Sequence, residues 1–273
     1  MPELPEIETI CRGLREHLEG RCIVQVRVLE PRLRILVEPA LPAQLQGKTI
    51  VAIGRIAKYI QIALANKMVW LFHLGMTGKL IHVDPATPQQ KHDHMVATLD
   101  NGRELRYHDP RRFGLSLLVP EAGLPSLPQL RHLGLDPFDH RFNGEYLFSF
   151  ARCSVRRIRD LLLDQQIVGG IGNIYANEIL FRAAVRPTVR SHRLPRSKVE
   201  AIAALSRQVL NEAIHWCGTS FSDYRDAEDR FGEFQNHLSV YDRAGEPCRN
   251  CSSAIKRVVL GNRSVFYCPS CQK

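Results

Sequence analysis

The residues best arranged for chemistry lie near the end of the chain. Cys248-x2-Cys251 and Cys268-x2-Cys271 are two Cys-x-x-Cys pairs separated by sixteen residues of strand-forming character. That spacing suits one tetrahedral Zn²⁺ held by four thiolates. Such an ion would fold a segment too small to bury a core alone. A closed four-thiolate shell also leaves no open ligand position, so the predicted metal is structural. A disulfide framework would need an oxidising compartment, and the opening Met1-Pro2-Glu3-Leu4-Pro5-Glu6 has neither a basic nor an apolar signal region. Cys11, Cys22, Cys153 and Cys217 lack ligand spacing and read as small buried hydrophobes.

A second chemistry is possible at the other end. Removal of Met1 would leave Pro2 as a secondary amine, and α-amino groups titrate near pH ~7.7–8.0, so part of it is neutral and nucleophilic at pH 7. A neutral amine can attack an electrophilic carbon and form an iminium intermediate. Glu3 beside it is a candidate general acid. The dipeptide alone reads rather as a frayed terminus with a helix-start proline.

Further along, Asp164 to Glu178 contains Gly169-Gly170-Ile171-Gly172-Asn173, a glycine-rich turn between two helices. Glycines let a phosphate approach the backbone, and a helix N-terminus favours anions. No Gly-Lys-Ser/Thr follows, so it is not a nucleotide P-loop. Arg156, Arg157 and Arg159 upstream could line the same anionic track or form a solvated face. Asp109-Pro110-Arg111-Arg112-Phe113-Gly114 sets two guanidinium groups beside an aromatic ring at a turn. Arg can bond a base edge and Phe can wedge between base pairs. Met76, in Leu74-Gly75-Met76-Thr77-Gly78, is a possible second wedge or plain core packing. His92-Asp93-His94 is half of a metal site without a third ligand, which favours phosphate contact or hydrogen-bonded structure. Lys58 sits among β-like residues and means little alone.

Elements must position these groups. The chain has 273 residues, enough for about two domains plus the finger, with a net charge of +9. The pI near 9.3 and a mean hydropathy of -0.19 describe a basic, water-compatible protein, and no apolar run approaches the ~20 residues of a membrane helix. Excess positive charge plus a zinc finger favours a polyanionic partner, nucleic acid above all. Residues 6 to 19 place Ile7, Ile10, Cys11, Leu14 and Leu18 at helical spacing, with Gly20 as the stop. From 21 to about 118 the pattern predicts strands at Ile23–Val28, Thr49–Ile53, Tyr59–Leu64, Met68–Phe72, Met95–Leu99 and Leu115–Val119, with turns at Asn66-Lys67 and Asp100-Asn101-Gly102. These suit an antiparallel sandwich or barrel. Helices are predicted over 144–152, 155–166, 174–184 and 198–216, and residues 218–240 as a long polar loop.

Taken together, these motifs resemble the formamidopyrimidine-DNA glycosylase family of bacterial base-excision repair. The resemblance runs over nearly the whole chain: Pro2 to Glu6, Lys58, His73 to Gly78, His92 to His94, Arg106 to Gly114, the turn around Asn173, and Gly245 to the end. It implies an α+β multidomain fold. Residues 1–120 would hold an N-terminal helix and two-layered β-sandwich, 121–138 a linker, 139–240 a helical domain with a helix–two-turn–helix, and 241–273 a zinc-finger β-hairpin. Double-stranded DNA would lie in a basic cleft between domains.

The resemblance also implies roles. Pro2 would attack C1′ of the damaged nucleotide and Glu3 would protonate the sugar ring oxygen. Lys58 would bind phosphate and act in β-elimination, while Arg263 and Asn173 would grip the DNA backbone. Met76, Arg111 and Phe113 would fill the void left by a flipped nucleotide, with Arg111 reading the orphaned cytosine. His92 would contact DNA, and residues 218–227 would fold over oxidised purines. Zn²⁺ is the one cofactor implied, on Cys248, Cys251, Cys268 and Cys271, in a monomeric cytoplasmic enzyme. Three departures stand out: Arg159 where the family commonly has Lys, Ser154 where a basic residue is expected, and Met95-Val96 in place of Val-Asp. A sister enzyme acting on oxidised pyrimidines, or a damage sensor without chemistry, shares many of these features.

Overall fold

The computed structural model describes residues 2–220 and 225–273, which form two compact units. The first comprises Met1–Arg131 with Ile214–Gln235, and the second His132–Ala213 with Asn236–Lys273.

The first unit opens with α1 (Leu4–Leu18). Its start is set by Glu3 at the N-cap, Pro5 in the first turn and a reciprocal capping box with Glu6. Arg15 and His17 occupy the last turn, where the helix dipole favours cations. Gly20 ends the helix at φ +82°, a conformation that costs a residue with a Cβ. The strands are β1 (Ile23–Val28), then, after the short α2 (Leu41–Leu45), β2 (Ile50–Ile56), β3 (Tyr59–Leu64), β4 (Met68–His73), β5 (Lys79–Val83), β6 (Asp93–Leu99), β7 (Glu104–His108) and β8 (Leu115–Pro120).

They pair antiparallel in two four-stranded sheets, ordered β1-β6-β7-β5 and β2-β3-β4-β8. Side chains of both sheets join the inner stripe of α1 in one core, with Ile10, Leu14, Leu18, Ile60, Ile62 and Phe72 fully buried. Each such side chain contributes roughly 1.5–3 kcal/mol by leaving water.

β5 and β7 escape a reading by apolar pattern. Glu104 and Arg106 sit in a buried ladder because they neutralise each other at 2.7 Å, with Arg106 also bonded to the Thr87 and Pro88 carbonyls. The two-layered sandwich itself agrees with expectation.

The second unit holds α3 (Gly144–Arg152), α4 (Ile158–Leu162), α5 (Asn173–Arg182) and most of α6 (Arg196–His215), followed by the hairpin β9 (Lys256–Leu260) and β10 (Arg263–Tyr267). The helix predicted over 155–166 is much shorter. Residues before it run extended, with the Ile158 N–H bonded to Val189 O, and Gln165 then stitches the following turns through Gly170 N–H and Ile171 O. Cys153 and Cys217 are exposed rather than buried, because Cys153 caps the end of α3 and Cys217, at φ +56°, follows the end of α6. Among the described residues no helix is long and apolar enough to cross a membrane.

Candidate functional site

In the first unit, Pro2 and Glu3 are buried at the start of α1, so this terminus is not frayed. The helix lies along β2 through three contacts. Arg55 Nε bonds Glu8 Oε2 at 3.1 Å, Cys11 Sγ donates to Gly54 O at 3.1 Å, and Arg15 Nε donates to Ile53 O at 2.6 Å. That register directs the start of α1 toward the two-residue turn Ala57-Lys58, where Lys58 is buried and Ala57 takes φ 50°. His73 closes the neighbouring strand. Burial first, then the charges of Lys58 and Arg34, push its pKa down to about 4, and its Nδ1 accepts the Gly75 N–H at 3.0 Å. A neutral ring therefore faces the lysine.

The proposed wedge residues come together in this unit. A Cβ on Gly75 would fall 2.6 Å from the Phe113 carbonyl carbon, so glycine lets the 74–78 turn pack directly on the 109–114 turn. Met76 and Phe113 are 42 % and 46 % exposed on these two adjoining turns, and the Arg111 guanidinium lies 4.5 Å from the centre of the Phe113 ring.

Asp109, fully buried, holds this arrangement. Its carboxylate accepts from Thr77 Oγ1 at 2.7 Å, the Gly114 N–H at 2.9 Å and the Tyr107 hydroxyl at 3.2 Å, while its carbonyl bonds His94 Nε2 at 2.7 Å. Burial and the adjoining carboxylate push the Tyr107 phenol upward, so it stays a donor.

His92 borders an open cavity of about 580 Å³ shared with Glu30, His94, Pro110 and Arg112. His94 is committed to Asp109 O, and His108 to Asp93 at 2.9 Å. The His92-Asp93-His94 motif is thus hydrogen-bonded structure with His92 at its rim. Burial and the neighbouring His108 lower the His92 pKa.

In the second unit, Asn173 opens α5 after Gly172. Its Nδ2 donates to Ser264 O at 2.9 Å, which fixes the residue next to Arg263. Arg263 itself is exposed at the tip of the β9–β10 hairpin, whose turn residues Gly261 and Asn262 both have positive φ, as a tight hairpin requires. Arg159 is neither a surface track nor a solvated face. It is 2 % exposed, donates to Asn173 Oδ1 at 2.7 Å and to Asp160 at 3.1 Å, and fixes the amide orientation of Asn173. Arg156 instead pairs with Asp164 at 2.8 Å on the exposed side.

The four cysteine sulfurs lie within 4.8 Å of one another, with Cys251–Cys268 at 3.4 Å and Cys248–Cys271 at 3.9 Å. The edge of a tetrahedron with Zn–S of 2.3 Å is about 3.8 Å, so the cluster fits the ion. Backbone N–H groups of Asn250 and Cys271 point at Cys248 and Cys268 sulfurs, each at 3.4 Å, as thiolates require. The hairpin docks on α5, where Asn177 Oδ1 accepts the Phe266 N–H, and buried Glu178 on the same helix holds the segment leading into the hairpin by accepting the N–H groups of Ser239, Val240 and Tyr241. Residues 221–224 of the expected lesion loop lie outside the described residues.

A β-sandwich bearing exposed Arg and Phe, a helix–two-turn–helix and a four-cysteine hairpin define a zinc-hairpin architecture built for nucleic acid. Family models match in the same order. The formamidopyrimidine-DNA glycosylase N-terminal domain covers residues 1–116, the H2TH domain of the same glycosylase residues 133–225, and the zinc finger found in FPG and IleRS residues 245–273.

A formamidopyrimidine-DNA glycosylase of Hahella chejuensis is 44 % identical over the full length of both chains. The Lactococcus lactis Fpg in complex with DNA containing an abasic site has a TM-score of 0.92 at 31 % identity, covering 99 % of each chain. A point mutant of that protein bound to DNA containing Fapy-dG has a TM-score of 0.92 at 32 % identity over all of both chains. The chain belongs to the formamidopyrimidine-DNA glycosylase family, and its four cysteines form the site of one structural zinc ion.

Proposed function

We propose that this protein is a base-excision repair enzyme, a DNA glycosylase and abasic-site lyase that removes oxidised purines, 8-oxoguanine and formamidopyrimidines, from double-stranded DNA. Its substrate puts it in the bacterial cytoplasm, acting as a monomer.

The observation that carries this reading is the buried, reciprocally capped start of α1, where Pro2 and Glu3 lie, in a chain that aligns with a family relative over the whole of both. Once Met1 is gone, the Pro2 nitrogen attacks C1′ and the bond to the damaged base breaks. Glu3 protonates the ring oxygen as the sugar opens, leaving an iminium at C1′. Proton loss from C2′ then expels the 3′ phosphate, and a second elimination expels the 5′ phosphate. Lys58, buried beside neutral His73, binds a phosphate and serves β-elimination, and Arg263 with Asn173 holds the backbone for the second step. His92 adds a DNA contact. The C1′ atom is shielded in a stacked duplex, so the nucleotide must flip, at roughly a few kcal/mol. Met76, Arg111 and Phe113 offset that cost by filling the gap, with Arg111 donating to the unpaired cytosine.

Borohydride reduction during turnover tests the reading. Duplexes carrying 8-oxoguanine should give a covalent protein–DNA adduct faster than duplexes carrying thymine glycol. Faster capture of the pyrimidine lesion would assign the chain to the sister activity, and no adduct with either would leave a binding protein.

A further inference from the structure

Glu6 does more than cap a helix. It is 2 % exposed, and its Oε2 accepts the Glu3 N–H at 2.8 Å, which any capping box would supply. Its Oε1 accepts the N–H of Thr219, also at 2.8 Å, from a residue 213 positions away. A cap has no need of that second bond.

The Thr219 side of the junction is braced in turn. Phe234 N–H bonds Gly218 O at 3.0 Å, Ser220 N–H bonds Gln235 Oε1 at 3.0 Å, and Gly232 N–H bonds Ser220 Oγ at 2.9 Å. Gly218 takes φ +79°, and a Cβ there would stand 2.8 Å from Glu6 Oε1, so the carboxylate and this strap are fitted to each other.

From this geometry we infer that Glu6 is a positioning residue for the reaction, and the inference rests on the reading of Pro2 and Glu3 as the reacting terminus. One carboxylate ties the backbone of Glu3, one residue from the amine, to the braced strap Gly218–Ser220. The strap thereby fixes where the Pro2 nitrogen and the Glu3 carboxyl stand. Misplacement of reacting groups by ~1 Å costs about a hundredfold in rate, so loss of the tie should appear in the chemical step and not in DNA affinity.

Two variants approach the tie from opposite sides. Glu6→Gln keeps shape but turns an NH2 group toward one of the two N–H donors. Gly218→Ala leaves Glu6 intact and presses on it from the strap. Each is compared with wild type for single-turnover borohydride trapping on a preformed abasic-site duplex, and for affinity toward a tetrahydrofuran-site duplex. Both should trap about 30- to 100-fold more slowly with affinity within about threefold of wild type. Together they should lose little beyond either alone, because they break one junction. Glu6→Asp, with charge kept and reach to one donor, should recover part of the rate. Trapping by Glu6→Gln at the wild-type rate, equal losses in rate and affinity, or fully additive losses in the double variant would overturn the proposal. A wild-type protein that forms no adduct would instead bring down the parent reading, and this one with it.

Discussion

Glu178 is the strongest test of how the segment leading into the zinc hairpin is held. It is 1 % exposed on α5, and its carboxylate accepts three backbone N–H groups: Ser239 at 2.8 Å, Val240 at 2.9 Å and Tyr241 at 2.9 Å. Glu178→Gln retains volume and one carbonyl oxygen. If that oxygen keeps Val240 and Tyr241, the amide NH2 faces the Ser239 N–H, and a buried donor is left unsatisfied at a cost of ~1–3 kcal/mol. The two retained bonds also lose their charge assistance, roughly another kcal/mol in total. The sum is about 2–4 kcal/mol, or roughly 30- to 1000-fold in a local opening equilibrium. Amide hydrogen exchange on the zinc-loaded full chain reads it directly. Protection at Ser239 to Tyr241 should fall by that factor, while amides of the β2–β3 ladder stay unchanged. Unaltered protection at 239–241 would refute the claim that this carboxylate anchors the segment leading into the hairpin. An equal loss in the sandwich would mean a global effect.

Three further outcomes follow from the same geometry. Phe113→Ala should slow processing of 8-oxoguanine duplexes about tenfold or more while leaving cleavage of a preformed abasic site within about threefold, since an exposed ring stacked on bases is worth ~1–3 kcal/mol; equal losses would count against a wedge. Cys268→Ser should lose zinc and strand cleavage together, because ion binding supplies ~10–16 kcal/mol of the folding of such a segment; full nicking by a metal-free variant would contradict it. His73, with its pKa depressed to about 4 in a buried site, resists protonation while folded. The unfolded chain therefore binds the extra proton first, and stability present above pH ~6.5 is lost as pH falls toward 4, by about 3 kcal/mol. His73→Gln, which can still accept the Gly75 N–H, should flatten that acid slope in a tryptophan-fluorescence titration, and an unchanged slope would reject the assignment.

Legibility in the sequence followed the range of the interaction. α1 was readable because Ile7, Ile10, Cys11, Leu14 and Leu18 recur at helical spacing and a single glycine stops them. The zinc site was readable because its ligands fall in two contiguous pairs. β7 was not, since its buried Glu104 and Arg106 look like surface charges until their ion pair is seen. Glu6, Asp109 and Glu178 share a different obstacle. Each is a buried acid whose partners include backbone N–H groups, which carry no signal in a sequence, and one such group of Glu6 (Thr219, 213 residues away) and all three of Glu178 (Ser239 to Tyr241, 61 to 63 away) are remote in the chain. Arg159 was visible as a departure from its relatives, but its burial against Asn173 depends on how α4 meets α5.

The identity of the nucleophile is tested most directly by locating the adduct. Borohydride-trapped protein, digested and sequenced by mass spectrometry, should carry the reduced sugar on the nitrogen of Pro2 in a peptide that has lost Met1. Adduct on Lys58 or another lysine, or full turnover by protein that retains Met1, would contradict the account.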